Sequence, residues 1–462
     1  MTAPPNSYFF CGIGGSGMMP LALIVTGQGH SVSGSDRSLD QGRTTPKFDA
    51  LRRQGIGLYP QDGSGIVSAD QIVVASTAVE ETVPDIVAAN RIGAQRMRRA
   101  DLLAVLLNAS AQGIAVGGTS GKSTVTGMIG WIFHALKQDP TIMNGAVMKN
   151  FITPDAPFAS ARVGQGKAFI SEVDESDGSI ALYHPDIAVL NNIALDHKSM
   201  DELRALFADF IGKARIAVLN LDNDEVAAMA KTHPAKHILT YSLHNSSADF
   251  VAADIVERAD GISFSVNSVP VSLQVPGRHN VSNALAALAA AHAAGIDLHQ
   301  AAAAIGGFTG LRRRLEVVGT ANGVTIIDDF GHNPDKIAAS LATLHAFPGR
   351  LLIFFQPHGY GPLKQMGDEL AQTFIRDMRE DDILLMPDPV YFGGTVDRSV
   401  GSDSIIGAIT AAGGKAEYVA ERATCGERLI ALAQPGDRII IMGARDDTLS
   451  LFAQDLLLRL DG

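Results

Sequence analysis

The chain has 462 residues, of which 46% are hydrophobic and 19% charged, and its formal net charge is −12. This length exceeds one ordinary hydrophobic core and predicts about three domains. The negative charge argues against general binding to nucleic acids or anionic membranes. The two cysteines, Cys11 and Cys425, are too few and too far apart for a disulfide framework or a metal finger. We therefore expect a globular protein in which any phosphate site is built locally.

The sequence shows no targeting signal. The N-terminal residues contain no basic leader before an apolar stretch, and the segment 283–295 is alanine-rich, short and interrupted by His292. Neither segment has the pattern of a signal peptide or a membrane span. We expect a cytoplasmic protein without nucleic-acid or membrane partners, acting on small molecules as a monomer or homodimer.

Apolar strands alternate with helical segments in three blocks, which predicts an α/β fold. The predicted strands of the first block are 8–12, 30–34 and 72–75, with a helix over 18–26. Those of the second block are 114–116, 168–170, 187–190 and 216–219, with a helix around 283–288. Those of the third block are 324–327, 351–354, 383–385 and 438–441. We expect three domains, each on a largely parallel sheet, with the boundaries 1–108, 109–312 and 313–462.

A glycine-rich turn lies between the apolar run 114–116 and a helical pattern. It reads Gly118-Thr119-Ser120-Gly121-Lys122-Ser123-Thr124. In such a turn the backbone N–H groups face phosphate, the lysine reaches the outer phosphates and the serine hydroxyl can ligate Mg²⁺. The spacing is one residue tighter than in the common phosphate loop, and the alternative is a glycine turn with a solvated lysine. We predict that this turn binds ATP.

A second glycine turn follows the first predicted strand. It reads Gly12-Ile13-Gly14-Gly15-Ser16-Gly17, and Asp36 ends the next strand. This pattern is typical of a pyrophosphate bound at a helix N-terminus, which either NAD or a UDP-sugar supplies. The alternative is that the glycines only allow a helix and a strand to pack closely.

An acidic segment follows the strand 168–170. Four carboxylates fall within the six residues 172–177, and such a cluster repels itself unless a cation lies among them. Mg²⁺ is the expected cation, and a solvated acidic turn is the alternative. His197, after a later strand, could bind a second metal or cap a helix.

Basic and polar segments begin the third block. Arg312, Arg313 and Arg314 stand at the domain junction, where they either form a solvated basic face or reach a transferring phosphoryl group. The segments 328–334 and 355–362 each follow an apolar strand, and ligands collect at such strand ends in parallel sheets.

Taken together, these motifs resemble the Mur ligases, including their alanine-adding and murein-peptide-recycling members. The resemblance covers nearly the whole chain and rests on the segments 12–18, 34–36, 99–101, 118–124, 172–177, 277–280, 313–314 and 328–334, with Asn192, Asp196, His197 and Asn283. It implies a Rossmann-like UDP-binding domain, a central ATPase domain and a C-terminal Rossmann-like domain. It also implies an ATP-dependent, ADP-forming ligase that joins a UDP-N-acetylmuramate-type carboxylate to an amine through an acyl phosphate.

The resemblance assigns roles residue by residue. It implies catalytic roles for Lys122, Glu172, His197 and Arg314, and Mg²⁺ ligation by Ser123, Glu172 and His197. ATP would contact residues 118–124, Asn283, Arg314, Asp328 and Asp329. The UDP-sugar would contact Gly14, Gly15, Ser16, Gly17, Asp36, Ser76 and Asn192. The amino-acid side would include His332, His358, Tyr360 and Lys364.

One departure from the family concerns the amine. Alanine-adding members carry two arginines in the third domain where this chain has Gly359 and Pro362, so the identity of the amine stays open. Alternative functions are a Mur-like ligase for another carboxylate and amine, an NAD-dependent oxidoreductase, and an inactive ATP-binding regulator. The last does not explain why Lys122, Glu172, His197 and Arg314 all match.

Overall fold

The computed structural model describes residues 6–77, 79–194, 198–232, 237–390, 400–444 and 446–461. Within these residues the chain forms three β-sheets with helices between the strands, as expected for an α/β protein. It divides into two compact units, Met1–Gly310 and Leu311–Gly462. The first unit contains two of the sheets and the second contains one.

The first sheet has five parallel strands in the order β3-β2-β1-β4-β5. The strands are β1 Ser7–Cys11, β2 Ser31–Ser35, β3 Gly57–Tyr59, β4 Gln71–Ala75 and β5 Gln95–Arg98. The helices are α1 Met18–Gly27, α2 Arg37–Asp40, α3 Thr45–Arg53, α4 Pro84–Ile92 and α5 Arg99–Asn108. This strand order places the switch in winding direction beside β1, which is where open parallel sheets bind ligands.

The second sheet has ten strands in the order β15-β14-β13-β12-β11-β10-β6-β9-β7-β8. The strands are β6 Gln112–Gly117, β7 Thr141–Met143, β8 Ala161–Arg162, β9 Ala168–Glu172, β10 Ile187–Leu190, β11 Ile216–Asn220, β12 Ile238–Ser242, β13 Phe250–Arg258, β14 Gly261–Val266 and β15 Val269–Leu273. The helices are α6 Lys122–Ala135, α7 Met200–Gly212, α8 Asp224–Thr232, α9 Arg278–Ala293 and α10 Leu298–Ile305, with short 3₁₀ turns at Lys149–Phe151 and Ser179–Leu182. The central strands are parallel and buried on both faces, which explains their continuous apolar runs.

The third sheet has six strands in the order β16-β17-β21-β18-β19-β20, and all pairs except β16 with β17 are parallel. The strands are β16 Glu316–Ala321, β17 Val324–Asp329, β18 Leu351–Gln356, β19 Ile383–Met386, β20 Ala416–Tyr418 and β21 Arg438–Gly443. The helices are α11 Pro334–His345, α12 Tyr360–Asp377, α13 Ser402–Ala411, α14 Arg422–Leu432 and α15 Thr448–Asp461.

The two sheets of the first unit share one hydrophobic core. A single buried cluster contains Phe10 and Leu21 beside the first sheet and Phe169 and Leu190 of the second. The C-terminal end of α1 also packs closely on the second sheet, since a Cβ on Gly27 would lie 2.7 Å from a methyl carbon of Val163. The elements that carry the two glycine turns therefore belong to one packed body.

The predicted α/β fold with three largely parallel sheets is confirmed. The antiparallel extension β13–β15 was not expected. Its last hairpin turns at Asn267 and Ser268, both with positive φ, which is the geometry of a tight two-residue hairpin turn. No helix in the described ranges is long and apolar enough to cross a membrane.

Candidate active site

The first glycine turn, residues 12–17, connects β1 to α1 and is held in shape by Asp36. One carboxylate oxygen of Asp36 accepts a hydrogen bond from the N–H of Gly14 at 2.8 Å, and the other accepts from the N–H of Ser38 at 2.8 Å. Asp36 is buried. Its carboxylate therefore supports the turn and the start of α2 from behind.

Two glycines give the phosphate loop its conformation. Gly118 has φ +128° and Gly121 has φ +82°, a region that other residues rarely adopt. A Cβ on Gly118 would lie 3.0 Å from the carbonyl oxygen of Asn192, and one on Gly121 would lie 2.7 Å from Oδ1 of Asn283. The loop is therefore tightly packed, and Asn283 of α9 lies beside it.

Asn192 braces the same loop. Its Oδ1 accepts from the N–H of Ser120 at 2.8 Å, and its Nδ2 donates to the carbonyl of Ser120 at 3.2 Å. Its own carbonyl accepts from the N–H of Thr119 at 3.1 Å. Sequence reasoning assigned Asn192 to the UDP-sugar, whereas its amide is bonded to the phosphate loop.

The first turn of α6 carries the polar groups of the loop. Lys122 Nζ donates to Glu175 at 2.8 Å, and Ser123 Oγ donates to Oε2 of Glu172 at 2.7 Å. The N–H of Gly145 donates to the other oxygen of Glu172. Thr124 is the third residue of α6. The helix N-terminus, an ammonium, a hydroxyl and a carboxylate thus meet in one place.

The carboxylates around Lys122 keep it charged. Burial alone would lower the pKa of Lys122, but the negative charges of Glu175 and Asp174 outweigh burial and raise it. Burial raises the pKa of Asp174, but the N–H of Ser176 and the charges of Lys122 and Arg99 outweigh that effect and lower it. Lys122 and Asp174 therefore both stay charged at neutral pH.

A cavity of about 400 Å³ extends from the first glycine turn to the phosphate loop. The described residues that line it are Gly15, Ser16, Gly17, Met18, Ser76, Arg99, Lys122, Met143, Gly145, Glu172, Val173 and Asp174. This volume lies in the range of small-molecule sites. Groups suited to a diphosphate and groups suited to the outer phosphates of ATP therefore face the same space.

Ser123 and Glu172 fit a magnesium site. Mg²⁺ is usually held by one or two carboxylates together with phosphate oxygens and water, and these side chains already bring a hydroxyl and a carboxylate oxygen together. Within the described residues, no group of three or more His, Cys, Asp or Glu side chains is arranged to hold a metal ion. The third predicted ligand, His197, lies outside the described residues.

The two aspartates that end β17 in the second unit are buried, with 1% exposure for Asp328 and 5% for Asp329. Asp328 accepts from Arg313 Nε at 3.3 Å and from Ser450 Oγ at 2.6 Å, and Asp329 accepts from the N–H of Leu315 at 3.0 Å. Burial raises the pKa of Asp328, although the charge of Arg313 opposes the shift. Both carboxylates are engaged within their own unit, where they hold the backbone around the arginines.

The junction arginines differ from one another. Arg313 is buried and also donates to the carbonyl of Gly443 at 2.8 Å, which makes it a structural residue. The guanidinium carbon of Arg314 lies 4.4 Å from the ring centroid of Phe330, a cation–π distance. Arg314 is partly exposed, so its side chain is the better candidate for a ligand contact.

Two histidines lie together at the end of the third sheet. The rings of His332 and His358 meet edge to face with centroids 5.4 Å apart, and His332 Nδ1 lies 2.9 Å from the carbonyl oxygen of Phe330. Burial, with the positive charge of Lys336 nearby, lowers the pKa of His332 to about 3. His332 is therefore neutral at physiological pH.

Beside these histidines is a cavity of about 10 Å³, lined by His332, Phe355, Pro357, His358, Gly359, Pro362, Leu363, Met366 and Leu370. This volume corresponds to about one water molecule. Helix α12 begins at Tyr360, and Lys364 lies exposed one turn further along it. Of the four residues predicted for the amino-acid side, His332 after β17 and His358 after β18 are thus in contact, and Tyr360 and Lys364 follow His358 at the start of α12.

Models of three protein domains match the chain. They are the Mur ligase family catalytic domain over residues 7–111, the Mur ligase middle domain over 116–291, and the Mur ligase glutamate ligase domain over 313–445.

Curated relatives agree with these matches. The UDP-N-acetylmuramate–L-alanine ligase of Agrobacterium fabrum is 34% identical over 95% of this chain and 94% of its own length. The enzyme of the same name from a Synechococcus species is 36% identical over 95% of this chain and 84% of its own length.

Solved structures show the same fold. UDP-N-acetylmuramate-alanine ligase MurC from Thermotoga maritima superposes with a TM-score of 0.79 at 22% identity, covering 98% of both chains. A murein peptide ligase from Psychrobacter arcticus superposes with a TM-score of 0.72 at 25% identity, covering 99% of both chains.

The fold and the phosphate loop define an enzyme of the ATP-dependent ligase class that forms amide bonds and releases ADP. The chain belongs to the Mur ligase family. This assignment favours the ligase over the NAD-dependent oxidoreductase, because one family accounts for all three sheets.

Sequence reasoning assigned no individual role to three contributors to the site. Glu175 pairs with Lys122, Asn191 Nδ2 donates to the carbonyl of Ser120 at 3.3 Å, and Arg99 lines the cavity. Glu175 and Arg99 stand in segments that the resemblance used, but neither segment shows which side chain faces the cavity. That information depends on how distant elements pack.

Proposed function

We propose that this enzyme joins the carboxylate of UDP-N-acetylmuramate, or of a close UDP-sugar relative, to the amine of an amino acid or a peptide. The observation that carries the proposal is the cavity between the two glycine turns. A UDP-sugar bound by its diphosphate at one end can extend toward a phosphoryl donor at the other. The names of the curated relatives specify that carboxylate and L-alanine.

The phosphate loop is proposed to hold ATP and Mg²⁺. Bound ATP would supply the phosphoryl group that turns the unreactive carboxylate into an acyl phosphate. Residues 118–124 would present backbone N–H groups to the phosphates, Lys122 would neutralise their outer charge, and Ser123 and Glu172 would ligate Mg²⁺. Asn283 beside the loop is proposed to contact the adenine, and His197 stays a proposed metal ligand.

The first glycine turn is proposed to hold the UDP-sugar. Gly15, Ser16 and Gly17 line the cavity at the N-terminus of α1, where a diphosphate is favoured, and Ser76 lines it nearby. Gly14 and Asp36 would act behind this surface, because the carboxylate of Asp36 is bonded to the N–H of Gly14.

The second unit is proposed to bind the amine and to contribute to the ATP site. Arg314 would stabilise charge on the transferring phosphoryl group, and His332, His358, Tyr360 and Lys364 would surround the amine. Asp328 and Asp329 would act indirectly, since their carboxylates hold the arginine segment.

We also propose the ranges 1–108, 109–312 and 313–462 as the UDP-substrate, ATP and amino-acid domains. The enzyme would act on small molecules in the cytoplasm as a monomer or homodimer. A peptide acceptor is included because the murein peptide ligase structure superposes over 99% of the chain.

An acceptor screen tests the proposed function. Purified enzyme, ATP, Mg²⁺ and UDP-N-acetylmuramate are incubated with single amino acids and with the peptide L-alanyl-γ-D-glutamyl-meso-diaminopimelate, and ADP release is measured. We expect release that requires both the UDP-sugar and one of these amines. ADP release that is unaffected by omitting the UDP-sugar would contradict the proposed carboxylate.

A further inference from the structure

Arg99 occupies a defined place between the two glycine turns. It is the first residue of α5, and its side chain lines the 400 Å³ cavity. Its Cδ, Nε and Nη1 atoms lie 3.1, 3.3 and 3.3 Å from the position that a Cβ on Gly17 would take. Gly17 is the N-cap of α1 and brings no capping side chain. The guanidinium therefore lies against the N-terminal end of that helix.

Arg99 differs from the other basic residues nearby in its hydrogen-bond and ion-pair partners. Arg98 pairs with Asp101 at 2.6 Å, and Arg96 pairs with Glu81 at 2.6 Å. At the other end of the cavity, Lys122 pairs with Glu175 at 2.8 Å. Across the described ranges, Arg99 makes neither a hydrogen bond nor an ion pair. Its charge helps to lower the pKa of Asp174 without direct contact.

Two features favouring an anion thus coincide at one end of the cavity. A helix N-terminus carries partial positive charge and free N–H donors. An arginine fork donates two parallel hydrogen bonds to phosphate oxygens, and such charge-assisted bonds are about twice as strong as neutral ones. Glu172 and Asp174 line the same cavity, and the charge of Arg99 helps to lower the pKa of Asp174. Near these carboxylates an anion would be repelled unless a cation is bound there.

We infer that Arg99 is a substrate-binding residue that clamps the diphosphate of the UDP-sugar against the N-terminus of α1. This inference rests on the proposed function and gives a ligand contact to Arg99 in the cavity lining. The diphosphate is favoured over the substrate carboxylate because Arg99 contacts the glycine turn, whereas the carboxylate must approach Lys122 and Glu172 to be phosphorylated.

Equilibrium binding of three ligands tests the inference. UDP, UDP-N-acetylmuramate and ATP are titrated by calorimetry into the parent enzyme, Arg99→Gln, Arg99→Lys and the matched control Arg98→Gln. The control removes the same charge one residue away, from a side chain that does not line the cavity. Thermal unfolding of each variant checks that the fold is retained.

We expect Arg99→Gln to weaken UDP and UDP-N-acetylmuramate by the same factor, roughly 10-fold to 100-fold for one charge-assisted contact. Arg99→Lys should lose less, and ATP binding should not change. Arg98→Gln should bind all three ligands as the parent does.

Three results would contradict the proposed function or the inference on Arg99. If the parent binds neither uridine ligand, the proposed function fails. If the parent binds both and Arg99→Gln binds them equally well, the inference on Arg99 is overturned. If Arg99→Gln weakens UDP-N-acetylmuramate but not UDP, Arg99 contacts the carboxylate end and the diphosphate clamp is overturned.

Discussion

Lys122 places a positive charge at the N-terminus of α6 in the proposed ATP site. Its ammonium is bonded to Glu175, and the surrounding carboxylates raise its pKa in spite of burial. A fixed positive charge at a helix N-terminus stabilises the charge that develops on transferring phosphate without reorganisation.

We expect Lys122→Ala to lower ATP-dependent turnover by about 100-fold to 1000-fold, the usual cost of one such electrostatic contact. Lys231→Ala, which removes an exposed lysine on α8, is the control and should leave turnover unchanged. Steady-state ADP release measures both. Normal turnover by Lys122→Ala would show that this turn is not the ATP site.

Glu172→Gln tests the magnesium site. Glutamine keeps the volume and a hydrogen-bond acceptor for Ser123, but it removes the charge that Mg²⁺ prefers in a ligand. The Mg²⁺ concentration needed for half-maximal activity should therefore rise, while binding of the UDP-sugar stays unchanged.

The control for this variant is Asp177→Asn, in the same acidic segment. Asp177 is exposed and accepts from the N–H of Ser179, a bond that asparagine can keep. Its Mg²⁺ titration should match that of the parent. The same titration for Glu172→Gln would remove Glu172 from the proposed ligands.

The sequence predicted Lys122, Ser123 and Glu172 as a group because motif spacing and strand ends bring such residues together. It did not predict that Arg99 lines the cavity or that Glu175 pairs with Lys122, since these positions depend on the packing of α5 against α1 and on the turn after β9. The sequence also does not show which way the side chain of Asn192 points, because an amide after β10 can face either glycine turn.

The residues at the end of strand β10 support the phosphate loop by hydrogen bonds. Asn192 and Asn191 both bond to the carbonyl of Ser120. These contacts fix a loop whose two glycines are in conformations that cost other residues energy. Loop shape is therefore imposed by a neighbouring strand end as well as by local sequence.

Asn192→Ala should raise the KM for ATP several-fold, because the N–H of Ser120 loses its acceptor and the loop becomes less ordered. The KM for the UDP-sugar should stay the same. Asn245→Ala, an exposed residue outside the cavity lining, serves as the control. A rise in the KM for the UDP-sugar alone would instead support the original assignment of Asn192 to that substrate.

Most elements that carry the site follow from apolar runs ending in glycine or polar turns, which is why strands such as β1, β6 and β17 were predicted. Short strands such as β3 and β20 were not predicted. The hairpins β13–β15 were not, since the turn at Asn267 and Ser268 lacks the Asn-Gly signal that marks most tight hairpins. Pairing between distant strands, and hence the ten-strand order, is set by packing that no local pattern shows.

In the molecule as a whole, the shared hydrophobic core of the first unit holds the two glycine turns in a fixed relative position. The two glycine turns stand on elements packed into one cluster, so the distance between the proposed diphosphate and triphosphate sites is fixed by the fold. Such preorganisation favours transfer between two bound groups, because little entropy remains to be lost.

The second unit contains the positions that bear on the identity of the amine. The carboxylate of a free amino acid is best held by an arginine fork, and the two family positions for arginine hold Gly359 and Pro362. We expect L-alanine to be a poor substrate or none, and Pro362→Arg to improve its use. Saturation of the parent by L-alanine at low micromolar concentration, unchanged by Lys364→Ala, would contradict this expectation.

In the proposed reaction, the cavity brings the substrate carboxylate to the phosphoryl group of ATP. The most direct test of this step uses UDP-N-acetylmuramate labelled with oxygen-18 in the carboxylate, together with ATP, Mg²⁺ and the accepted amine. Attack by the carboxylate on the γ-phosphorus of ATP releases ADP and forms an acyl phosphate. Attack by the amine then expels phosphate that keeps one carboxylate oxygen. Mass spectrometry should therefore find oxygen-18 in the released phosphate, whereas amide product formed with unlabelled phosphate would contradict the account.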